Sequence, residues 1–278
     1  MINFKNLKYI FAMVKAEPLH HIKKLFSYLK NIPISLNKNI KIDYVIAIYT
    51  LGKSGSSSIL STLQEKFSSP NVIQLHFINC DYIRQNHPND FASRNIDKAN
   101  LFLKNHSKKK IKYISLVREP ISREISSFYQ NRPLYFKNIS PNDYKAINNL
   151  IEEKAYDLAL NWFDYELKKH LNFDVYSQKF DKTKGFSIYK IDSDTELMVL
   201  RTDFINKTGL LALNKFLNSD IKQIKSVNVG SSKSNSFYQN QMKSYFKISD
   251  LNLEKIKNSK FMNHFFTKEE IKNLYLNK

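Results

Sequence analysis

Asp43-Tyr-Val-Ile-Ala-Ile-Tyr-Thr-Leu-Gly52-Lys53-Ser54-Gly55-Ser56-Ser57-Ser58-Ile59-Leu60 decides how the rest of the chain is read. A run rich in β-branched and aromatic residues enters Gly52-Lys53-Ser54-Gly55-Ser56-Ser57-Ser58 directly, and Ile59, Leu63 and Phe67 then recur at helical spacing. The pattern predicts strand, tight loop, helix. Such a loop offers what an anion needs: glycines that let the backbone approach, unpaired N–H groups at a helix start, hydroxyls and one lysine. The first expectation is a phosphate or sulfate site.

Around this stretch, 278 residues with 42% hydrophobic content suffice for one sizeable α/β domain. The net charge of +19 points to anionic partners, although drift toward Lys, Asn and Ile along the whole chain explains it equally well. Cys80 is the single cysteine, so no intramolecular disulfide is possible and a reducing, cytoplasmic setting is the simplest. No apolar run reaches the ~18 residues of a spanning helix. Residues 1–42 read as a basic, helical N-terminal extension. Its apolar stripe is expected to pack on its own domain, with peripheral contact to the cytoplasmic face of a membrane as the alternative. Residues 43–278 read as the catalytic domain.

Further along, Val72–Ile78 reads as a second strand, Ile96–Asn105 as a helix and Ile111–Val117 as a third strand. The third strand runs into Arg118-Glu-Pro120, and Pro120 suits a first helical turn. Residues 132–148 read as a loop and 149–171 as one long helix. Asp174–Tyr176 and Gly185–Tyr189 read as short β segments, Glu196–Arg201 as a buried strand and Thr208–Leu217 as a helix. Asn228–Asn235 reads as a polar loop, followed by two short C-terminal helices, one opened by a capping box at Thr267–Glu270. Alternating strands and helices predict a three-layer α/β fold around a mostly parallel sheet.

Ala47 to Ser54 fits the Walker A spacing if alanine takes the first position, so a P-loop kinase using ATP–Mg²⁺ is one reading. The bulky residues before Gly52 oppose it, as does a third strand that ends in Arg118 where a magnesium-holding Asp would be wanted. Arg118 stands at the C-terminal edge of a parallel strand, where open α/β sheets bind ligands. Ser126 lies about two helical turns further on, and an arginine fork with a hydroxyl suits a phosphate. Two separated anion sites imply a ligand with two separated anionic groups.

Lys53–Ser58 and Val117-Arg-Glu-Pro-Ile-Ser-Arg-Glu-Ile-Ser-Ser-Phe-Tyr129, in this order, resemble the 5′-phosphosulfate loop and the 3′-phosphate strand and helix of PAPS-dependent sulfotransferases. Asn161–Glu166, Phe173–Tyr176, Phe180-Asp181, Gly185–Tyr189 and His264–Ile271 resemble a bacterial branch described as capsular polysaccharide synthesis proteins, close to carbohydrate sulfotransferases. The resemblance implies a P-loop nucleotide-kinase-like sulfotransferase fold and a PAPS donor without need of a metal. It also implies a carbohydrate acceptor, such as a cell-surface polysaccharide or a lipid-linked glycan; with no aromatic-plus-basic motif evident in the sequence, no nucleic-acid partner is expected. Gly52, Lys53, Ser54, Gly55, Ser56, Ser57 and Ser58 would hold the 5′ end, with Lys53 at the bridging oxygen. Arg118 and Ser126 would hold the 3′-phosphate, with Lys233 a weaker match to the segment that closes over the nucleotide.

His76 is the candidate base, against the alternative of a satisfied core histidine. Glu65 is the nearest acidic alternative and reads as solvent-facing. Arg123 reads equally as a second phosphate contact or a surface residue. Arg201 and Asp203 read as a structural ion pair, and Trp162 as core. His87, His106, His170 and His264 show no metal-ligand spacing with a cysteine or with one another, so no zinc site is expected. The expectation is a sulfotransferase with catalytic Lys53 and His76. The rivals are the ATP-dependent kinase and a non-catalytic basic binding protein.

Overall fold

A computed structural model describes residues 42–67, 71–79, 81, 84–85, 89–153, 156–226 and 233–274, without the side chains of 89–92, 133–135 and 233–236. All of the expected N-terminal extension but Ile42 therefore lies outside the described residues, and so does Cys80.

Tyr44–Tyr49 forms β1, Val72–Leu75 β2, Lys110–Val117 β3, Phe186–Lys190 β4 and Thr195–Arg201 β5. They make one sheet in the order β2-β1-β3-β5-β4, parallel except for β4, which pairs antiparallel with β5. The apolar runs become inner strands because side chains alternate between two buried faces. Val45, Ala47 and Tyr49 point into one apolar cluster, and Ile46 and Ile48 into the other.

The helices divide between these faces. α1 (Ser56–Lys66) supplies Ile59 and Leu63 to the smaller cluster. On the other face, α2 (Asn89–His106) contributes Phe102, and α3 (Pro120–Tyr135) contributes Ile121, Ile125 and Phe128. α4 (Tyr144–Glu153) and α5 (Asp157–Trp162) follow on that face. α5 continues through a π-helical turn, Phe163–Lys168, and closes with Lys169–Leu171. α6 (Leu210–Leu217) packs beside α1's face. α7 (Lys233–Tyr245), α8 (Asp250–Asn258), α9 (Lys260–Phe265) and α10 (Lys268–Lys272) complete the chain. The result is the expected three-layer α/β architecture with a mostly parallel sheet.

Several expectations need correction. The expected helix over 149–171 is divided: α4 ends at Glu153, and α5 starts after Tyr156, which is left-handed with φ 59. Asp174–Tyr176 is no β segment. The Asp174 side chain accepts from Tyr176 N at 3.0 Å and starts a 3-10 turn, Val175–Ser177. The loop expected over 132–148 is shorter, because α3 runs to Tyr135 and α4 begins at Tyr144. α2 starts earlier than expected, at Asn89, and β2 ends at Leu75. Of the expected polar loop over 228–235, residues 228–232 lie outside the described residues and Lys233 opens α7. Four helices, α7 to α10, follow that loop among the described residues, where two were expected. Thr267 and Glu270 do form the capping box of α10, Trp162 is buried at 1% exposure, and Glu65 faces outward, paired with Lys225 at 3.0 Å.

Candidate functional site: the loop between β1 and α1

β1 delivers the chain to the C-terminal edge of the sheet, and Thr50 continues its pairing by side chain. Its hydroxyl donates to the Leu116 carbonyl at 3.0 Å and accepts from Leu116 N at 3.1 Å. Ala47, Ile48 and Tyr49 are paired strand residues, so the Walker A spacing falls inside β1 and the true loop is Gly52–Gly55. Lys53 has φ 71 and Gly55 φ 88, with a residue of negative φ between them. Such alternation turns successive N–H groups toward one concavity, a nest suited to an anion. Lys53 holds this left-handed conformation with a side chain, which costs about 1–2 kcal/mol.

The first turn of α1 leaves N–H groups available. Gly55 caps α1 without a side-chain hydrogen bond, and the first turn of α1 carries no acidic residue. Residues 52 and 53 form a turn ahead of this helix start. The carbonyls, in contrast, are held from outside. Thr50 O lies 2.8 Å from His76 Nδ1, Gly52 O accepts from Arg123 Nε at 3.1 Å, Lys53 O from Arg118 at 2.7 Å and Ser54 O from the Thr202 hydroxyl at 2.8 Å. Residues beyond β2, β3 and β5 thus fix one short loop by its carbonyls.

Three cations converge here. Burial, then Arg118, then Arg123, lowers the Lys53 ammonium below its ordinary pKa. Arg123 is buried and pairs with Glu124, so it is a loop-holding residue and not a surface one. Both oxygens of Glu119 are taken by the N-terminus of α3, accepting from Ile121 N and Ser122 N at 2.8 Å each. No described carboxylate forms a salt bridge with Lys53 or Arg118. An anion is the natural complement.

His76 stands just past β2, with ring atoms 3.8 Å from where a Cβ on Gly52 would sit. The Thr50 carbonyl can only accept, so Nδ1 carries the proton and Nε2 presents its lone pair. Gln74 links the ring to the loop: its amide donates to Ser56 Oγ at 2.7 Å and lies 3.5 Å from His76 Nε2. Burial lowers the imidazole pKa, the Thr50 bond opposes that, and Lys98, Arg123 and Lys53 add to it. A neutral imidazole beside an ammonium is a workable proton acceptor.

An open cavity of about 1440 Å³ is lined by Arg118, Ser122, Thr202, Lys243 and Lys247, and also by the carboxylates of Glu119, Asp203 and Glu270. Ser122 lines it, whereas Ser126, one turn further along α3, is 7% exposed and does not. Lys233 begins α7, and its side chain is outside the description. The far end of α7 brings Lys243 into the field of Arg118, which, after burial, lowers the lysine's pKa. Arg201 closes the cavity wall as the expected structural ion pair, bonded to Asp203 at 2.7 Å and also to Glu270 at 2.7 Å.

The spacing of residues did not point to Ser122, Thr202, Gln74 or Lys243. Each depends on chain segments that only the folded sheet brings together; a hydroxyl directly after Arg201 was the one visible signal, at Thr202.

No curated protein and no solved structure matches this chain. Residues 136–267, just under half of the chain and C-terminal to both the loop and Arg118, match the family model described as "NKWYS: Putative capsular polysaccharide synthesis protein".

Proposed function

We propose that this protein is a PAPS-dependent sulfotransferase acting on a hydroxyl of a carbohydrate. The observation that carries the reading is the loop Gly52–Ser58: a helix start without a side-chain cap beside Lys53, with Arg118 linking it to a second cavity whose lining includes Lys243 and Lys247. A ligand with anionic groups at both ends fits that layout, and PAPS has a 5′-phosphosulfate and a 3′-phosphate. The match of residues 136–267 to a capsular polysaccharide synthesis family supports a carbohydrate acceptor. The three-layer sheet is compatible with the sulfotransferase variant of the P-loop kinase fold.

In this reading the loop amides and Ser54–Ser58 hold the 5′-phosphate. The 3′-phosphate lies toward Arg118, with Ser126 and Lys233 as expected contacts and Ser122 and Lys243 as further ones. The acceptor oxygen forms a bond to sulfur as the bond from sulfur to the bridging oxygen breaks. The electron pair leaves on the 5′-phosphate of PAP, where Lys53 balances it, and the acceptor proton passes to His76 Nε2. Most of the rate comes from placing cations and donors where charge develops.

Thermal shift separates this from the other readings. PAP without metal is expected to stabilise the chain. Stabilisation by ATP–Mg²⁺ alone would refute the proposal in favour of a kinase, and no response to either would leave a binding protein.

A further inference from the structure

The segment that carries His76 belongs to no strand or helix, yet its backbone is held closely. Trp162 Nε1 donates to the His76 carbonyl at 3.0 Å. Four residues on, in the π-helical turn of α5, Glu166 Oε2 accepts from Ile78 N at 2.7 Å and from Asn79 N at 3.0 Å. The same oxygen accepts from the Tyr49 hydroxyl at 2.7 Å, tying it to the end of β1. Asn79 Nδ2 donates to the Tyr165 carbonyl at 2.8 Å. Glu166 is fully buried, and its other oxygen, Oε1, has no hydrogen-bond partner. A buried carboxylate is expensive, and π-helical turns concentrate where function imposes a local geometry.

We propose that Glu166, with Trp162 one turn before it, is a positioning residue that holds the backbone of residues 76–79 so that the His76 ring stays against the Gly52–Ser56 loop. The proposal rests on His76 being the base of the transfer described above. Glu166 acts through the backbone and not through its charge. The groups that set the imidazole's charge balance are Lys98 of α2, Lys53 of the loop and Arg123 of α3. Without an acceptor at position 166, two amides and the Tyr49 hydroxyl lose their partner and the segment moves toward solvent. Glutamine can supply one carbonyl oxygen in the place of Oε2 and put its amide where Oε1 makes no bond, so it preserves the geometry.

The test follows His76 in the full-length chain by NMR of ¹³C-histidine, assigned by loss of one resonance in His76→Asn, with PAP affinity measured in parallel. Glu166→Ala is expected to move the His76 titration up toward the ordinary 6.5 as the ring leaves its buried position. Glu166→Gln is expected to leave it in place. PAP affinity changes by no more than about twofold in either, because Arg118, Arg123 and Thr202 hold the loop. Trp162→Phe, which removes a single donor, is expected to give a smaller upward move, and it decides the matter if Glu166→Ala does not fold. An unchanged titration in Glu166→Ala, or in Trp162→Phe when that variant stands alone, overturns the proposal. So does a move in Glu166→Gln as large as in Glu166→Ala. A chain that fails to bind PAP yet shows the expected His76 response keeps the positioning role and overturns the sulfotransferase reading instead.

Discussion

Arg118→Ala removes two things at once, and they can be measured apart. The guanidinium donates to the Lys53 carbonyl at 2.7 Å and lines the cavity proposed for the 3′ end of the nucleotide. The first loss is a single hydrogen bond to a neutral carbonyl. It is worth about 1 kcal/mol, or a fall of about 2–4 °C in Tm for a chain of this size. The second is larger, since a hydrogen bond to a charged group contributes about 1.5–3 kcal/mol, or roughly 10- to 150-fold in Kd. Calorimetric titration with PAP and with adenosine 5′-phosphate separates them. The two ligands differ only in the 3′-phosphate, so PAP should lose the full factor and adenosine 5′-phosphate no more than about threefold. Arg118→Lys keeps the charge but not the fork, and should fall between. Equal losses for the two ligands would refute the placement of the 3′-phosphate, and an unchanged PAP affinity would refute the two-point clamp.

Other outcomes follow from local geometry. Gly55→Ala places a Cβ on a residue with φ 88, 3.2 Å from Ile205 Cδ1 and 3.3 Å from Thr202 Cγ2. It should cost about 2 kcal/mol and about 5 °C in Tm, and should weaken PAP binding, which a melting curve and a titration would check. His170 Nε2 lies 3.0 Å from the Tyr113 hydroxyl, and burial lowers its pKa to about 4. The unfolded chain takes up that proton below about 6.5 while the native chain resists it until about 4, so stability is full above 6.5 and declines as pH falls between these values. At about 1.4 kcal/mol per pKa unit the decline is on the order of 3 kcal/mol. Urea midpoints from pH 7 to 4 should fall more steeply in the wild type than in His170→Gln, and equal slopes would refute the account.

The inner strands were legible in the sequence because both of their faces are buried. β1, β3 and β5 read as near-continuous apolar runs, and Pro120 marked the start of α3. α5 was harder. Its break at Tyr156 carries neither glycine nor proline to announce it, and the π-helical turn over Phe163–Lys168 has no compositional signature. Asp174 misled for a simpler reason: a β-like triplet was captured by its own aspartate side chain. At the site, Gly52–Ser58, Arg118 and His76 lie at the ends of adjacent strands, where a motif reader looks first. Glu166 was not legible as a site residue, because its partners are Tyr49, Ile78 and Asn79, and residue 49 is 117 positions away. Lys243 escaped for the same reason, since only the return of α7 brings it near Arg118.

The outward-held carbonyls of Thr50, Gly52, Lys53 and Ser54 make the loop a dependent part and not a portable module. Copied into another scaffold without His76, Arg123, Arg118 and Thr202, the same residues would keep their glycines and hydroxyls but lose the four anchors that aim the amides. What descent or design must conserve is the set of pairings across three strand ends. A change at Thr202 or Arg123 can retire the loop without touching it, and a faithful copy of Gly-Lys-Ser-Gly-Ser-Ser-Ser elsewhere carries no promise of the same grip.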